Sequence, residues 1–354
     1  MSDIDQIVVE TAARLFADDV TPQLRNAAEA GSWPQALWEA VADLGLPEAL
    51  VPEQAGGYGL DPLVALAVVR TAARFAVPLP LAETLWANRL LAAAGLSRPS
   101  GPVTFFAPAT SAPSVDPLQI TRSADGWRLV GHAPRVPWGA QADVVVVADS
   151  ADGPMIARVP AGRATVTAGD NLAAEPRDDL AFDLVLPADS VAPAPRLALS
   201  LQEAGAALRA IQMAGALERV LELSVRYASE RVQFGRPIGK FQAVQQNLAI
   251  LAGQTAAAGG AADLAAEALA EDLDPLPIAI AKARTGEAAS SACAIAHQVH
   301  GAIGFTHEHE LHHFTRRLWA WRDEYGNDTH WNARVGAAVT AAGADGLWPL
   351  ITAA

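Results

Sequence analysis

Apolar residues recur at helical spacing over the first hundred positions of the chain. One helical face is formed by residues three or four positions apart, namely Trp33, Leu37, Val41 and Leu44. Ser32 precedes this face and is predicted to cap the helix, with Pro34 in the first turn. A second apolar and alanine-rich stretch, residues 62–94, is interrupted near Pro78 and predicts two further helices.

The hydrophobic period changes to two between positions 101 and 195. Alternation on both sides of the Asp125-Gly126 pair predicts a β-hairpin over residues 118–130. The apolar run 143–147 predicts a buried strand, and residues 180–186 alternate again. Proline-rich margins at 108–117 and 187–195 are the expected linkers of this β domain.

From position 197 onward the pattern is helical again, in four stretches separated by short breaks. The apolar faces consist of Leu208, Ile211, Leu217, Val220 and Leu221; Val244, Leu248 and Leu251; Ala281, Ala288, Ala292 and Ile295; and Trp331, Val335 and Val339. Four such helices predict a four-helix bundle. Helices, then strands, then helices indicate the α+β class, with predicted domains at 1–100, 101–195 and 196–354.

Composition narrows the possible partners. The chain is 51% hydrophobic and 18% charged, so it can bury a large core. A net charge of -14 argues against nucleic acid or an anionic membrane as a general partner. One cysteine, Cys293, excludes an internal disulfide and fits a reducing compartment. No apolar run predicts a secretory signal or a membrane span, so a cytoplasmic location is expected.

One stretch combines helix breakers with basic and amide side chains. It reads Arg231-Val-Gln-Phe-Gly-Arg-Pro-Ile-Gly-Lys-Phe-Gln-Ala-Val-Gln-Gln-Asn-Leu-Ala249 and is called the basic elbow below. Glycine and proline in its first half predict a tight connection between two helices. Such a connection suits an anion, because arginine presents a planar set of donors and a helix N-terminus adds partial positive charge.

The basic elbow also carries the pattern Arg-x-x-Phe-Gly-x-x-Ile-x-x-Phe-Gln-x-x-Gln, and a second segment reads Gln298-Val-His-Gly-Ala-Ile-Gly-Phe305. Together they resemble two signature segments of the acyl-CoA dehydrogenase family of flavoproteins. The loop Leu50–Gly59 is similar to that family's Val-Pro-Glu-x-x-Gly-Gly-x-Gly loop. Over essentially the whole chain, the resemblance implies a helical N-terminal domain, a middle β-barrel domain and a C-terminal four-helix bundle.

The resemblance further implies FAD as the cofactor and α,β-dehydrogenation of an acyl-CoA thioester as the reaction. FAD would lie between the β domain and the bundle, in a homo- or hetero-oligomer whose neighbouring subunit completes the site. Electrons would pass to an electron-transfer flavoprotein or a similar acceptor. At the matching positions, Arg231 would pair with the pyrophosphate of FAD, Phe234 would pack against its adenosine half, and Gln242 would hydrogen-bond it.

The second segment and the β domain supply the other implied contacts. Gln298, Gly301 and Ala302 would let the backbone approach the pyrophosphate closely, although Ala302 replaces the family's usual glycine. The family's flavin-lining run is matched by a stretch that contains Val136 and Trp138. Its middle residue, a proline, has no hydroxyl to hydrogen-bond the flavin. Trp138 is expected either to cover the flavin or to belong to the core. The family's acidic loop is replaced by residues 107–113.

The reaction needs a carboxylate that takes the α-proton while the β-hydrogen leaves as hydride. The family's Tyr-Glu-Gly-Thr segment is matched by residues 323–327, where ungapped counting puts Tyr325 at the base position and Glu324 one residue early. A second position that the family uses for the base falls near Gly205, two residues from Glu203. Glu324 and Glu203 are therefore both candidates for the base.

The base position leaves two functions of a flavoprotein open, beside a third interpretation as a non-flavin or otherwise repurposed helical protein. The chain is either an active dehydrogenase that uses Glu324 or Glu203, or an FAD-binding but catalytically silent subunit of a hetero-oligomeric acyl-CoA dehydrogenase. The arginine that contacts CoA in the family is replaced by Ala206, with Arg209 one turn further on.

Histidines are concentrated in one region, at positions 297, 300, 307, 309, 312 and 313. Histidine is a common metal ligand, but this spacing matches no recognised pattern such as His-Glu-x-x-His. No metal site is predicted, and exposed or partner-facing histidines are expected instead.

Overall fold

The computed structural model describes residues 3–108, 117–271 and 273–352. It divides into two compact units, Met1–Gly205 and Ala206–Ala354. Part of the predicted 107–113 replacement loop and most of the predicted 108–117 linker lie outside the described residues.

Helices form the first part of the first unit, as the periodicity predicts. They are α1 (Asp3–Asp19), α2 (Pro22–Glu29), α3 (Gln35–Asp43), α4 (Pro62–Arg74) and α5 (Leu81–Ala93). The break between α4 and α5 confirms the predicted interruption near Pro78.

The predicted cap at Ser32 is wrong. The backbone N–H of Ser32 donates to the carbonyl of Ala27 at 3.0 Å, so Ser32 belongs to the end of α2. Gly31, at φ +92°, turns the chain there, as glycines often do at helix ends. Pro34 takes the cap position of α3 without a side-chain hydrogen bond, and the helix begins one residue later.

An eight-stranded sheet follows. The strands are β1 (Val103–Phe105), β2 (Gln119–Ser123), β3 (Gly126–Pro137), β4 (Asp143–Ser150), β5 (Gly153–Val159), β6 (Thr165–Thr167), β7 (Arg177–Leu186) and β8 (Val191–Pro193). Their order is β6-β7-β3-β2-β4-β5-β8, and β1 pairs with β4 in parallel. The predicted hairpin is confirmed, because Ser123 pairs with Gly126 across the β2–β3 turn. The sheet packs over one apolar core that includes Ile120, Leu129 and Val146.

The second unit consists mainly of helices. They are α6 (Leu201–Glu230), α7 (Gln242–Ala270), α8 (Pro275–His300), α9 (Leu311–Asp323) and α10 (Asp328–Thr352). Helix α10 is interrupted at Gly343, whose φ is +70°. Four of these helices correspond to the four predicted apolar faces, whereas α9 was not predicted. Within the described ranges, no helix combines the length and the apolar character needed to cross a bilayer.

Candidate active site

Residues 323–327, called the α9–α10 turn below, contain the first candidate base. Tyr325 and Gly326 have φ values of +55° and +97°, so the chain bends sharply between the two helices. The indole Nε1 of Trp331, in the first turns of α10, donates to the carbonyls of Tyr325 and Gly326, both at 3.1 Å. These bonds fix the backbone on both sides of the bend.

Glu324 is held by a buried arginine. Its Oε2 lies 2.6 Å from Nε of Arg209 on α6, and the two side chains are 12% and 1% exposed. Arg209 also donates to Gln212, and its guanidinium lies over the rings of Trp321 and Tyr325. A guanidinium in contact favours the charged form of a carboxylate, which makes that carboxylate a weaker proton acceptor. In this arrangement Glu324 is an ion-pair partner.

A lysine that the sequence analysis did not assign to the site lies beneath the same turn. Lys282 on α8 is fully buried, and its Nζ donates to the carbonyl of Arg322 at 2.7 Å and to that of Gly326 at 2.8 Å. Burial lowers the pKa of Lys282 to about 7. Smaller effects on this pKa come from the neighbouring charges of Asp328, Glu324, Arg209 and Asp323. The sequence feature that could have pointed to Lys282 is its position within an alanine-rich apolar helix face, in a chain that has only two lysines.

The first residue of α10 completes this cluster. Oδ2 of Asp328 accepts from Nε of Arg322 at 2.8 Å. Gly286 on α8 leaves room for this carboxylate, because a Cβ at Gly286 would lie 2.0 Å from Oδ1 of Asp328. Glycine at position 286 therefore allows α8 to approach the Arg322–Asp328 ion pair.

Gly286→Ala is expected to lower the free energy of unfolding by about 1 to 3 kcal/mol, because the added methyl group displaces Asp328 from Arg322. Chemical denaturation measures the change. Gly253→Ala is the matched control, since no atom lies within 4 Å of a Cβ there, and it should stabilise α7 by up to about 1 kcal/mol. Equal stabilities for the two variants would contradict the packing described.

Glu203, the second candidate base, lies in the first turn of α6 and is half-buried. It belongs to the first unit, whereas Glu324 belongs to the second. Both carboxylates thus lie at helix ends: Glu203 in the first turn of α6 and Glu324 at the C-cap of α9.

The basic elbow forms a short hairpin between α6 and α7. Strands β9 (Val232–Gln233) and β10 (Arg236–Pro237) pair antiparallel. Phe234 and Gly235 both have positive φ in the turn, as two-residue hairpins require. The N–H of Ile238 donates to the carbonyl of Arg231 at 2.8 Å and closes the hairpin. The Phe234 ring is 91% exposed and meets the Phe241 ring edge-on at 6.2 Å.

The donors of the basic elbow fit an anionic dinucleotide such as FAD. Arg231, Arg236, Lys240 and Gln242 are exposed. Phe241 stands at the N-cap of α7 without a side-chain cap, so the first-turn N–H groups add to the donor set. The stretch contains no acidic residue, although the whole chain carries a net charge of -14. An exposed aromatic ring beside such donors suits an aromatic ligand with a pyrophosphate.

The second signature segment packs against the basic elbow. Helix α8 ends at His300, and Gly301 follows with φ +64°. Val299 forms one buried apolar cluster with Ala228 at the end of α6 and Ile238 of the basic elbow. The structure therefore brings the two segments together. The predicted contacts Gln298, Gly301 and Ala302 are all exposed.

The histidines around this segment contact aromatic rings. His300 stacks on Tyr227 at 4.6 Å, and its Nδ1 lies 2.8 Å from the carbonyl of Ala296. His297 stacks on Phe305 at 4.2 Å. Burial lowers the pKa of His297, His300 and His309. These rings thus help to shape the segment that follows α8.

The two predicted flavin contacts of the first unit are buried. Val136 belongs to the core of the sheet. Trp138 is 6% exposed and has φ +48°, and its N–H donates to the carbonyl of Pro176 at 3.2 Å. The guanidinium of Arg177 lies 5.1 Å from the centre of the Trp138 ring. The structure thus packs Trp138 inside the first unit, and its contact with a flavin stays a prediction.

Known proteins resemble this chain over nearly its whole length. Residues 2–98 match the model of the acyl-CoA dehydrogenase N-terminal domain, and residues 196–328 match that of the C-terminal domain. Acyl-CoA dehydrogenase IpdE2 of Mycobacterium tuberculosis is 32% identical over 88% of this chain and 90% of its own length. FadE34 of the same organism, also an acyl-CoA dehydrogenase, is 32% identical over 89% of this chain and 43% of its own length.

Solved structures share the fold. One chain of the ChsE4-ChsE5 complex from Mycobacterium tuberculosis superposes with a TM-score of 0.86 at 23% identity, covering 96% of this chain and 98% of that one. Butyryl-CoA dehydrogenase from Megasphaera elsdenii superposes with a TM-score of 0.82 at 22% identity, covering 96% and 99%. A chain of the solved structure described as the electron transferring flavoprotein of Acidaminococcus fermentans also shares the fold, with a TM-score of 0.84 at 21% identity and coverage of 96% and 98%.

The two matched family models and the 32% identical relative define a flavin-dependent dehydrogenase. The chain belongs to the acyl-CoA dehydrogenase family. Its cofactor is FAD, and its reaction is acyl-CoA dehydrogenation. The predicted fold class is confirmed.

Proposed function

We propose that Glu203 takes the α-proton of the acyl-CoA thioester and that Glu324 serves as the structural partner of Arg209. The observation that carries this proposal is the 2.6 Å contact between Glu324 and a guanidinium that is 1% exposed. A base must accept a proton at the working pH, and an ion-paired carboxylate is poorly suited to that role. Glu203, which is half-buried at the start of α6, is the remaining carboxylate of the two candidates.

The base assignment is tested by anaerobic titration with a panel of acyl-CoA thioesters, followed through the visible absorbance of the flavin. Glu203→Gln is expected to slow flavin reduction by about 10²- to 10⁴-fold while FAD remains bound. Glu324→Gln keeps the hydrogen-bonding shape of the side chain and is expected to retain reduction. The opposite pattern would return the role of base to Glu324.

The alternative function from the sequence, a catalytically silent subunit, is compatible with the Arg209–Glu324 ion pair and is separated by the same experiment. If the base has been given up, the chain is the FAD-binding but catalytically silent subunit of a hetero-oligomer. Flavin reduction would then be absent in the unmodified chain, and neither glutamine variant would change it. Activity would appear only after a related subunit that carries its own base is added. The ChsE4-ChsE5 complex shows that this fold occurs in assemblies of two different chains.

FAD is proposed to be held by the residues that the two signature segments supply, with further contacts from the β domain. The proposed contacts are Arg231, Phe234, Gln242, Gln298, Gly301, Ala302, Val136 and Trp138. When bound, FAD supplies the acceptor for the β-hydride. In this assignment Arg231 binds the pyrophosphate, and the exposed Phe234 ring covers part of the adenosine half.

Arg231→Ala is expected to weaken FAD binding by about tenfold or more, because a charge-assisted contact to the pyrophosphate is lost. The ratio of flavin absorbance to protein absorbance after gel filtration measures the FAD content. Arg163→Ala, which removes an exposed arginine of the β5–β6 loop, is the control and should leave the FAD content unchanged. Full FAD content in Arg231→Ala would overturn this assignment.

The domain division is proposed as 1–100, 101–195 and 196–354. The change from helices to strands after α5 and the return to helices at α6 support it, as do the matched family ranges. An electron-transfer flavoprotein or a similar protein is the proposed electron acceptor, and a homo- or hetero-oligomer is the proposed assembly. The buried free Cys293 agrees with the proposed cytoplasmic location.

A further inference from the structure

Three helices hold the α9–α10 turn with buried groups. Helix α6 contributes Arg209, which binds Glu324. Helix α10 contributes the indole of Trp331. Helix α8 contributes Lys282, which donates to the carbonyls of Arg322 and Gly326. Among these three groups Lys282 is the one that can change its charge near neutral pH, since arginine stays charged and indole stays neutral.

The hydrogen bonds of Lys282 suit an uncharged amine. A neutral amine has two N–H groups, whereas an ammonium group has three. Nζ donates to two carbonyls, at 2.7 and 2.8 Å, and donates to no third acceptor among the residues that the structure describes. The side chain is fully buried, so bulk water does not solvate the charged form. The two carbonyls therefore satisfy the amine but leave one N–H of an ammonium group without a partner.

The neighbouring carboxylates only partly offset the cost of burying an ammonium group. Glu324 is paired with Arg209, and Asp328 is paired with Arg322. Asp323 is exposed and therefore screened by water. These carboxylates raise the pKa of Lys282 and Arg209 lowers it, but burial is the largest effect and disfavours the charged form.

We propose that Lys282 is a positioning residue that, as an uncharged amine, holds the α9–α10 turn and keeps Glu324 on Arg209. This assignment goes beyond the proposed base and concerns a residue that neither signature segment contains. Its relevance to turnover rests on the proposed function, whereas its effect on the turn does not. The lowered pKa of Lys282, to about 7, agrees with the hydrogen-bond geometry.

Protonation of Lys282 is expected to disturb the α9–α10 turn. When Lys282 gains a proton, it acquires a charge and a third N–H group inside the bundle. The facing charged groups are Arg209 on α6, Arg322 and Asp323 on α9, Glu324 in the turn and Asp328 on α10. Oδ2 of Asp328 is paired with Arg322, but its buried Oδ1 has no hydrogen-bond partner among the described residues. Accommodating the new charge and the third N–H group therefore requires movement of the turn or of this carboxylate. The turn should therefore open more often below pH 7 than above it.

The protonation state can be measured directly, because Lys240 and Lys282 are the only lysines of the chain. The full chain labelled with ¹³C and ¹⁵N at lysine should give two side-chain signals in NMR spectra. The signal that disappears in Lys282→Met belongs to Lys282. It is expected to titrate near pH 7. A midpoint near 10.5, the ordinary value for lysine, would overturn the proposal.

Positioning is tested by hydrogen exchange of the backbone amides in the α9–α10 turn, divided by their intrinsic rates at each pH. In the unmodified chain the normalised exchange is expected to rise about tenfold as the pH falls through 7. In Lys282→Met it should already be about tenfold faster at pH 8 and should show no such step. Exchange without a pH step in the unmodified chain would overturn the positioning role. Neither measurement needs substrate or turnover, so both stand apart from the test of Glu203.

Discussion

Replacing Arg209 with methionine is expected to lower the free energy of unfolding by about 3 to 5 kcal/mol. The ion pair lies inside the bundle, where Arg209 is 1% and Glu324 12% exposed. Removing the guanidinium leaves the largely buried carboxylate of Glu324 without the arginine that neutralises it. A loss of this size exceeds that of most single substitutions, because a buried charge loses its partner. Urea denaturation at pH 7.5 measures it.

The double variant Arg209→Met with Glu324→Gln is the matched control. It removes both charges and keeps the volumes of the two side chains, so most of the lost stability should return. A third variant, Glu324→Gln alone, should also be destabilising, since it leaves the guanidinium buried without its carboxylate. If Arg209→Met lowers the free energy of unfolding by less than about 1 kcal/mol, the ion pair contributes no more than a solvent-exposed pair does. Glu324 would then again be a candidate base.

Much of the fold could be predicted from the sequence because its signals are local. The Asp125-Gly126 pair between alternating segments indicates a hairpin, and the structure pairs Ser123 with Gly126, so the two turn residues are Ala124 and Asp125. The long apolar faces of α6, α7, α8 and α10 repeat over several turns, so their period is unmistakable. The α4–α5 boundary follows from prolines that cannot continue a helix.

One prediction was wrong because Ser32 lies between two helices. It has the chemistry of a helix cap, but its N–H closes the preceding helix through Ala27.

Helix α9 was missed for a different reason. It is short, and its sequence is rich in histidine and arginine, which hides the apolar period. Leu311, Phe314, Leu318 and Trp321 are buried along it. Polar residues that are themselves buried, such as His313 and Arg317, mask this face in the sequence.

Some features of the candidate site could be predicted from local sequence motifs, whereas others depend on contacts between distant residues. The two signature segments were recognisable as motifs, and the structure packs Val299 against Ile238 between them. The ion pair that engages Glu324 joins residues 115 positions apart, and the bonds of Lys282 span 40 and 44 positions. No local pattern encodes such contacts, because they depend on how α6, α8 and α9 pack. The roles of Glu324 and Lys282 therefore follow from tertiary structure.

The stability of the unmodified chain is expected to rise with pH between 7 and 10.5, relative to Lys282→Met, by about 1.4 kcal/mol per pH unit. The lysine has a pKa of about 7 in the folded state and 10.5 when unfolded. Between these values the unfolded state binds one more proton than the folded state, so raising the pH favours folding. Below pH 7 both states are protonated, and the cost of burying the charge is fully present.

Parallel denaturation series of the unmodified chain and of Lys282→Met, from pH 6 to 9.5, measure this difference. Methionine preserves the length and apolar character of the stem but does not titrate, so the other ionisable groups largely cancel between the two series. The difference between the two free energies of unfolding should shift steadily in favour of the unmodified chain above pH 7 and stay constant below it. Curves that stay parallel up to pH 9.5 would mean that Lys282 keeps its proton when folded. In that case the two carbonyls hold an ammonium group, and the α9–α10 turn would not respond to pH through this residue.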